Sequence, residues 1–213
     1  MEKFIYSDST YFYKDVLNLS KYKSEILDRC NTIIESMPHV TMGGYGYFME
    51  TDNQNFVGNI DIKNNLDEIL NFGIQSCITA YQMEYNKSFD KINTDCWINV
   101  VRTNNPVQYG KDSNGLDYHI HTEINKARSM FYPHFTWVYY IQMPDNLNGD
   151  EGSLYMKDTS GDEYHILPNE GDIIIMPADL AHSPKVASKS TKDRMVLAGN
   201  VGFQTFKKQK SLI

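Results

Sequence analysis

The sequence predicts a mainly β domain with helices on its N-terminal side, arranged as an all-β sandwich or a jelly roll. About eight short β-rich runs, separated by turn signals, follow one another from residue 96 onward. Two long segments with helical periodicity precede these runs, so we expect both helices to pack on one outer face of a sheet. An apolar fraction of 41% in 213 residues can support the core of one such domain.

The N-terminal region, residues 1–95, is predicted to be a helical support within the same domain. Residues 1–16 alternate loosely, as in an edge strand or an ordered arm. Apolar side chains recur at steps of three and four from Ser20 to Met37, which predicts a helix that Pro38 ends. A second helix is predicted from Leu66 to Tyr85, on the same kind of apolar stripe.

The β-rich half is predicted to cover residues 96–206, and a polar tail, residues 207–213, follows it. Its turns are marked by clusters of Asn, Gly, Pro and Ser between the apolar runs. The predicted strands are Cys96–Arg102, Leu116–Ile124, Phe135–Met143, Ser153–Lys157, Glu163–Leu167, Asp172–Met176, His182–Val186 and Arg194–Phe203.

Charge, apolar patterning and cysteine content indicate which partners and which compartment to expect. The net charge is −7 and no basic stripe stands out, which argues against nucleic acid as a ligand. The N-terminus lacks an apolar leader and no apolar run is long enough for a membrane span, so we expect a cytoplasmic protein that does not enter a membrane. The three cysteines are scattered, which is typical of buried thiols in a reducing compartment.

The stretch from Asp117 to Glu123 carries the strongest chemical signal. In an extended chain successive side chains point to opposite faces, so His119, His121 and Glu123 would share one face of the predicted strand. Two imidazoles and a carboxylate each need a partner when buried, and together they can hold a divalent metal. The pattern therefore predicts half of a metal site.

The other half is expected from the C-terminal part of the chain. A short apolar strand follows the turn Pro168–Gly171, Pro177 closes that strand, and His182 comes five residues later. Arg194 opens the last strand, where a buried cation needs an anionic partner. In a metal site, a cosubstrate that carries a carboxylate could be this partner.

These motifs resemble the Fe(II)/2-oxoglutarate-dependent oxygenases, over roughly residues 96–203. That family has a His-x-Asp/Glu pair, a distant His and a basic residue about ten positions further on. The run Phe135–Ile141 resembles the Thr-x-x-Tyr-Tyr-Leu strand of prolyl hydroxylases. The block from Pro168 to His182 is similar to small oxygenases encoded by phage and marine bacterial genomes. The resemblance implies a double-stranded β-helix, a cupin-like jelly roll, and hydroxylation that consumes O2 and 2-oxoglutarate and releases succinate and CO2.

The resemblance also implies roles for individual residues. His121, Glu123 and His182 would bind Fe(II), while Arg194 and Tyr140 would hold the far carboxylate of 2-oxoglutarate. Two departures weaken the match: the carboxylate is Glu where the family more often has Asp, and the step from His182 to Arg194 is long. The additional His119 leaves an alternative ligand set open, in which His119, His121 and His182 bind the metal as in cupins.

The substrate is not identified by the sequence. The likeness to prolyl hydroxylases makes a peptidyl proline a first hypothesis, within a broader class of peptides and small molecules. A cupin-type metalloenzyme that does not use 2-oxoglutarate is one alternative function. A jelly-roll binding module without enzymatic activity is another. Nothing in the sequence indicates an oligomeric state.

Overall fold

The computed structural model describes residues 1–7, 10–36, 46–49, 66–101, 118–122 and 132–205. More of these residues lie in antiparallel strands than in helices, as the sequence predicts. The described strands are β1 (Glu2–Ser7), β2 (Thr10–Val16), β3 (Gly46–Met49), β4 (Lys91–Val101), β5 (Phe135–Gln142), β6 (Leu154–Lys157), β7 (Glu163–Ile166), β8 (Asp172–Pro177), β9 (Ala181–Pro184) and β10 (Arg194–Gln204). Within the described ranges, the α-helices of regular length are α1 (Lys23–Ser36) and α2 (Leu66–Tyr85).

The strands form two antiparallel sheets. The large sheet has seven strands in the order β1-β2-β8-β5-β10-β4-β3, and the small sheet has three in the order β7-β6-β9. From β4 onward the chain passes repeatedly between them, since β5, β8 and β10 belong to the large sheet while β6, β7 and β9 belong to the small one. Buried side chains of both sheets, such as Val138 and Met156, share one core. The strands of this half therefore enclose an interior between two sheets.

The helices pack on the other face of the large sheet. Their buried side chains form a second core with alternate residues of the central strands, including Trp137 and Tyr139 of β5. Helix α2 approaches the sheet at Gly73, where a Cβ atom would lie only 2.6 Å from the Trp137 indole. The expectation that the helices cover one face of a sheet is thus confirmed for the described helices.

The N-terminal region adds strands as well as helices. Helix α2 has the predicted bounds, and α1 begins at Lys23 after a 3-10 turn over Ser20–Tyr22. The predicted end of this first helix, Met37, lies outside the described residues. Strands β1 and β2 extend the large sheet, because β2 pairs with β8. No helix in the described ranges is long and apolar enough to cross a bilayer.

The predicted strand Leu116–Ile124 is wrong for the residues of it that the structure describes. His119 makes one bridge to His182, and His121 and Thr122 have helical geometry. The backbone leaves the extended path because the N–H groups of His121 and Thr122 both donate to the Ala178 carbonyl, at 2.8 and 3.4 Å. Strand alternation therefore does not explain how His119 and His121 come together.

Candidate metal centre

His182 is held in β9 with its ring orientation fixed. Pro177 ends β8, and a tight turn returns the chain into β9 with the imidazole in the interior between the sheets. Its Nδ1 lies 2.8 Å from the Leu180 carbonyl oxygen. A carbonyl can only accept, so Nδ1 carries the proton and Nε2 keeps its lone pair.

His119 is placed beside His182 by backbone pairing. The two residues exchange both of their N–H···O bonds, each 3.1 Å long. In antiparallel pairing, residues that exchange both bonds are directly opposite and direct their side chains to the same face. The two imidazole centroids are accordingly 4.5 Å apart.

His121 completes the group from the turn that follows. Its Nε2 is 3.2 Å from Nε2 of His182, and the two rings are parallel within 6°. Trp97 of β4 stacks on the same imidazole with centroids 5.3 Å apart. One ligand atom from each of the three histidines lies within 4.8 Å of the others.

Burial keeps two of these imidazoles neutral. It lowers the pKa of His121 well below its ordinary value, and the nearby His182 and His119 lower it further, against an opposing hydrogen bond with Asn200. The pKa of His182 falls to about 3, mainly because the ring is buried and next because His119 is close to it. The hydrogen bond with the Leu180 carbonyl raises this pKa, and the charge of Arg194 lowers it by a smaller amount. A neutral imidazole is the form that binds a metal, so both rings are ready ligands at neutral pH.

The geometry fits a divalent transition-metal ion. Two ligand atoms at right angles, each about 2.1 Å from an ion, are roughly 3.0 Å apart. The observed separation of the two Nε2 atoms is 3.2 Å. Two lone pairs that face each other at this distance repel unless a proton or a cation lies between them. A metal ion bound to both nitrogens removes that repulsion, so the residues present fit such an ion.

A buried cation lies in the same interior. Arg194 is 4% exposed, and its guanidinium carbon is 5.1 Å from the centroid of the Tyr140 ring. The Arg194 Nε and the Tyr140 hydroxyl are both buried without a hydrogen-bond partner in the described part of the chain. Burial raises the pKa of Tyr140, and the Arg194 charge acts against that rise. A buried positive charge beside a hydroxyl donor fits an anionic ligand such as a carboxylate.

One cavity of about 70 Å³ connects these groups. The residues that line it come from β4, β5, β6, β9, β10 and the His119–His121 segment: Trp97, Asn99, His119, His121, Thr136, Val138, Leu154, His182, Pro184, Arg194, Val196 and Ala198. A larger cavity, of about 250 Å³, lies between α1 and β5 on the helical face of the large sheet. It contains none of the candidate residues, so the smaller cavity is the candidate site.

The structure brings four of the sequence-predicted residues to this cavity. His119, His121, His182 and Arg194 line it, and Tyr140 lies against Arg194. Glu123 lies outside the described residues. Strand parity predicted opposite faces for the two tyrosines of β5, and Tyr139 indeed packs with the helices while Tyr140 packs between the sheets.

Sequence reasoning missed two neighbours of His121, namely Trp97 and Asn200. Trp97 lies in the β-rich run that opens the second half, where an aromatic residue is an ordinary core residue. Asn200 is the only amide in the apolar run Arg194–Phe203. That isolated polar residue was the available signal, since a buried amide needs partners.

Comparison with known proteins gives no match in sequence and several in structure. No family model matches the chain, and no curated protein is significantly similar to it. A prolyl-4-hydroxylase from Pseudomonas putida is similar with a TM-score of 0.55 and 13% identity, over 92% of this chain and 93% of that one. HygX from Streptomyces hygroscopicus, solved with nickel and 2-oxoglutarate bound, has a TM-score of 0.54 and 13% identity, over 94% and 85%.

A third solved structure is also a prolyl hydroxylase. It comes from Trichoplax adhaerens, in complex with a hypoxia-inducible-factor peptide, and is similar with a TM-score of 0.55 and 13% identity over 91% of this chain and 82% of that one. All three similarities cover nearly the whole of this chain, so they concern its complete fold. The chain therefore has the fold of the 2-oxoglutarate- and iron(II)-dependent oxygenases, as the resemblance of its motifs implied.

Proposed function

We propose that this protein is an Fe(II)- and 2-oxoglutarate-dependent dioxygenase that hydroxylates a peptide or a small molecule. The passage of the chain between the two sheets supports a double-stranded β-helix as the scaffold. The observation that carries the proposal is the shared cavity, in which three histidines meet a buried arginine whose Nε has no hydrogen-bond partner among the described residues. A metal site alone would not need that arginine, and a carboxylate site alone would not need the histidines.

His121 and His182 are the proposed core of the iron site. For the third protein ligand we propose His119, because its ligand atom is within 4.8 Å of the other two. Glu123, which the resemblance implies as the carboxylate ligand, is the competing candidate. Three protein ligands on one face of an iron ion leave positions open for a bidentate cosubstrate and O2.

Each residue of the cavity then has a defined task. When bound, iron and 2-oxoglutarate would use one O2 for oxidative decarboxylation and hydroxylation, with one oxygen atom going to succinate and the other converting a substrate C–H into C–OH, and CO2 being released. The guanidinium of Arg194 holds the far carboxylate of the cosubstrate, and the Tyr140 hydroxyl donates to the same group. Val138, Val196 and Ala198 line the cavity with apolar surface and keep bulk water away.

A peptidyl proline is the first substrate we propose to test. The support is the Tyr-Tyr strand, together with the similarity of the fold to two prolyl hydroxylases. The half-buried Trp97 and Asn99 form the cavity wall contributed by β4, where an aromatic face and an amide are available to a substrate. A proline ring packs well on aromatic side chains, and an amide recognises peptide groups.

The experiment is a succinate-release assay with purified protein, Fe(II), 2-oxoglutarate and a panel of proline peptides and small molecules. We expect oxygen-dependent succinate in the wild type and a loss of at least about 100-fold in His182→Ala, because removing a ligand should cost more than the roughly 10–100-fold lost with a ligand's hydrogen-bond partner. His165→Ala is the matched control, because His165 lies on the exposed face of β7. Equal turnover in His182→Ala and the wild type would remove the proposed ligand role.

Paired variants decide whether His119 or Glu123 is the third protein ligand. His119→Ala should weaken binding of Co(II), a spectroscopic substitute for iron, about as much as His121→Ala, while Glu123→Ala should leave it within a few-fold of the wild type. The reverse result would assign the site to His121, Glu123 and His182.

A cupin-type metalloenzyme without 2-oxoglutarate is the second candidate. It is favoured by the all-histidine group, since the described residues place no carboxylate within it. Arg194→Met separates the two functions, because the oxygenase loses affinity for 2-oxoglutarate whereas the cupin has no such affinity to lose. If the wild-type protein binds neither Co(II) nor Fe(II), a binding module without enzymatic activity is the better description.

A further inference from the structure

Strand β4 presents a tryptophan to the interior between the two sheets. Its alternate residues Cys96, Ile98 and Val100 pack with the helices, whereas Trp97 packs against the core between the sheets. Trp97 is half-buried, and it is paired in register with Ala198 of β10, which contributes only a methyl group beside it. The indole therefore has room to contact a side chain that comes from another part of the chain.

The indole stacks on the His121 imidazole. The two ring centroids are 5.3 Å apart, and the ring planes are parallel within 19°. This is the offset-stacked arrangement that aromatic rings favour, with centroids about 4.5–7 Å apart. His182 is a second nearly parallel neighbour of His121, with centroids 5.0 Å apart and planes within 6°. The His121 ring is thus in stacked contact with one ring from β4 and one from β9.

The stacked contact restrains a ring that the backbone alone does not orient. The His121 N–H donates to the Ala178 carbonyl at 2.8 Å, which fixes the backbone but not the rotation of the imidazole about its side-chain bonds. Contact with the flat face of Trp97 favours the orientations in which the imidazole is parallel to the indole. The lone pair of an imidazole nitrogen lies in the ring plane, so a restraint on that plane also restrains the direction in which His121 can bind a metal.

We propose that Trp97 is a positioning residue that holds the plane of the His121 ring, so that His121 and His182 converge on one metal ion. The inference rests on the metal centre of the proposed function. It gives aromatic stacking the task at His121 that a hydrogen bond has at His182, whose Nδ1 is 2.8 Å from the Leu180 carbonyl oxygen. In this role Trp97 acts through His121 and does not bind the ion itself.

Loss of the stacked face should weaken metal binding without abolishing the site. The free energy of a stacked aromatic pair corresponds to roughly a 3- to 10-fold change in an equilibrium constant. We therefore expect Trp97→Leu, which keeps an apolar side chain but has no flat face, to weaken Co(II) binding by about that factor. Trp97→Phe keeps an aromatic face and should bind Co(II) within about 2-fold of the wild type.

The test combines Co(II) titration with proton NMR of the histidine rings in the metal-free protein. Protons that lie over the face of an indole shift upfield, so we expect upfield ring signals for His121, assigned by their absence from His121→Ala. The shift should disappear in Trp97→Leu and persist, reduced in size, in Trp97→Phe. Ile174→Val is the control, because Ile174 belongs to the same core but lies on β8 and does not line the cavity. It should change neither the shift nor the affinity.

The outcomes separate this inference from the proposed function. A wild-type protein that binds no Co(II) would refute the metal centre itself, whatever the position of the indole. Tight Co(II) binding in the wild type, with unchanged affinity in a folded Trp97→Leu protein, would refute only the role of Trp97. If Trp97→Leu does not fold, Trp97→Phe gives the decision: binding more than about 10-fold weaker than that of the wild type, with the upfield shift of His121 retained, would overturn the inference.

Discussion

Replacement of Arg194 by Met should have opposite effects on ligand binding and on stability. The guanidinium is 4% exposed, and its Nε has no hydrogen-bond partner among the described residues. Each hydrogen bond from a buried charge to a carboxylate contributes about 1.5–3 kcal/mol, so losing a two-bond contact should cost roughly 3–6 kcal/mol of binding. At about 1.4 kcal/mol for each factor of ten, affinity for 2-oxoglutarate should fall roughly 100- to 10,000-fold.

Stability should not fall in the same variant. A buried guanidinium whose hydrogen bonds are incomplete costs free energy of desolvation, and an unbranched apolar side chain of similar length removes that cost. We therefore expect the free energy of unfolding of the metal-free Arg194→Met protein to be equal to that of the wild type or larger. Arg194→Lys should bind 2-oxoglutarate more weakly than the wild type, because an ammonium group lacks the planar pair of donors.

The two tyrosines of β5 provide a matched pair of variants for the same contact. Tyr140→Phe removes a buried hydroxyl without a described partner, so 2-oxoglutarate affinity should fall about 10-fold with little change in stability. Tyr139→Phe removes a hydroxyl that donates to the Leu17 carbonyl at 3.0 Å on the opposite face. It should cost about 1 kcal/mol of stability and leave the affinity unchanged.

Calorimetric titration of the Co(II)-loaded protein with 2-oxoglutarate, together with urea unfolding of the metal-free protein, measures both quantities. The reasoning is refuted if Arg194→Met binds 2-oxoglutarate as the wild type does. It is also refuted if that variant loses about 3 kcal/mol of stability, since a structural ion pair would then explain its burial.

Three further predictions concern packing, pH and metal removal. Gly73→Ala should destabilise the fold by about 1–3 kcal/mol in urea unfolding, because the new Cβ would meet the Trp137 indole at 2.6 Å. The control is Gln75→Ala at an exposed position of the same helix, which should change the free energy of unfolding by no more than about 0.5 kcal/mol. Burial lowers the pKa of His134, whose Nδ1 accepts from the Phe203 N–H at 3.2 Å, so the unfolded chain takes up a proton first and stability falls as the pH drops below about 6.5. His134→Asn keeps an acceptor without a titrating ring, and its unfolding free energy should depend less on pH between 7 and 5; equal slopes would contradict this. Chelation of the metal should lower the unfolding free energy by about 2.7 kcal/mol relative to a sample at 100 times its dissociation constant, and an unchanged thermal midpoint would speak against a specific site.

Sequence periodicity predicted the helices and strands that have one buried face and a different environment on the other. The stripe of α2 predicted its approximate bounds correctly, because that stripe lies directly on the large sheet around Trp137. Strand parity likewise assigned Tyr139 and Tyr140 to opposite faces of β5. The contribution of β1 and β2 to the large sheet was less evident, since their alternation is loose and their place depends on pairing with a strand more than 150 residues away.

The candidate site was predictable in its residue types but not in its geometry. The motif pointed to His119, His121 and His182, yet the parity argument assumed a strand where the chain turns at His121. That turn depends on hydrogen bonds to the Ala178 carbonyl. Ala178 is distant in sequence, and a backbone carbonyl leaves no trace in a residue motif. The role of Glu123, the peptidyl-proline substrate and the cytoplasmic location stay predictions.

An anaerobic titration of metal-free protein with Fe(II) in the presence of 2-oxoglutarate tests the central claim most directly. A cosubstrate chelated to iron produces a visible charge-transfer absorption. We expect that band to saturate at one equivalent of Fe(II) in the wild type, to vanish in a folded His182→Ala protein, and to require far more 2-oxoglutarate in Arg194→Met. A wild-type protein that shows no band, or a His182→Ala protein that keeps it, would contradict the proposal that these side chains hold one iron and its cosubstrate.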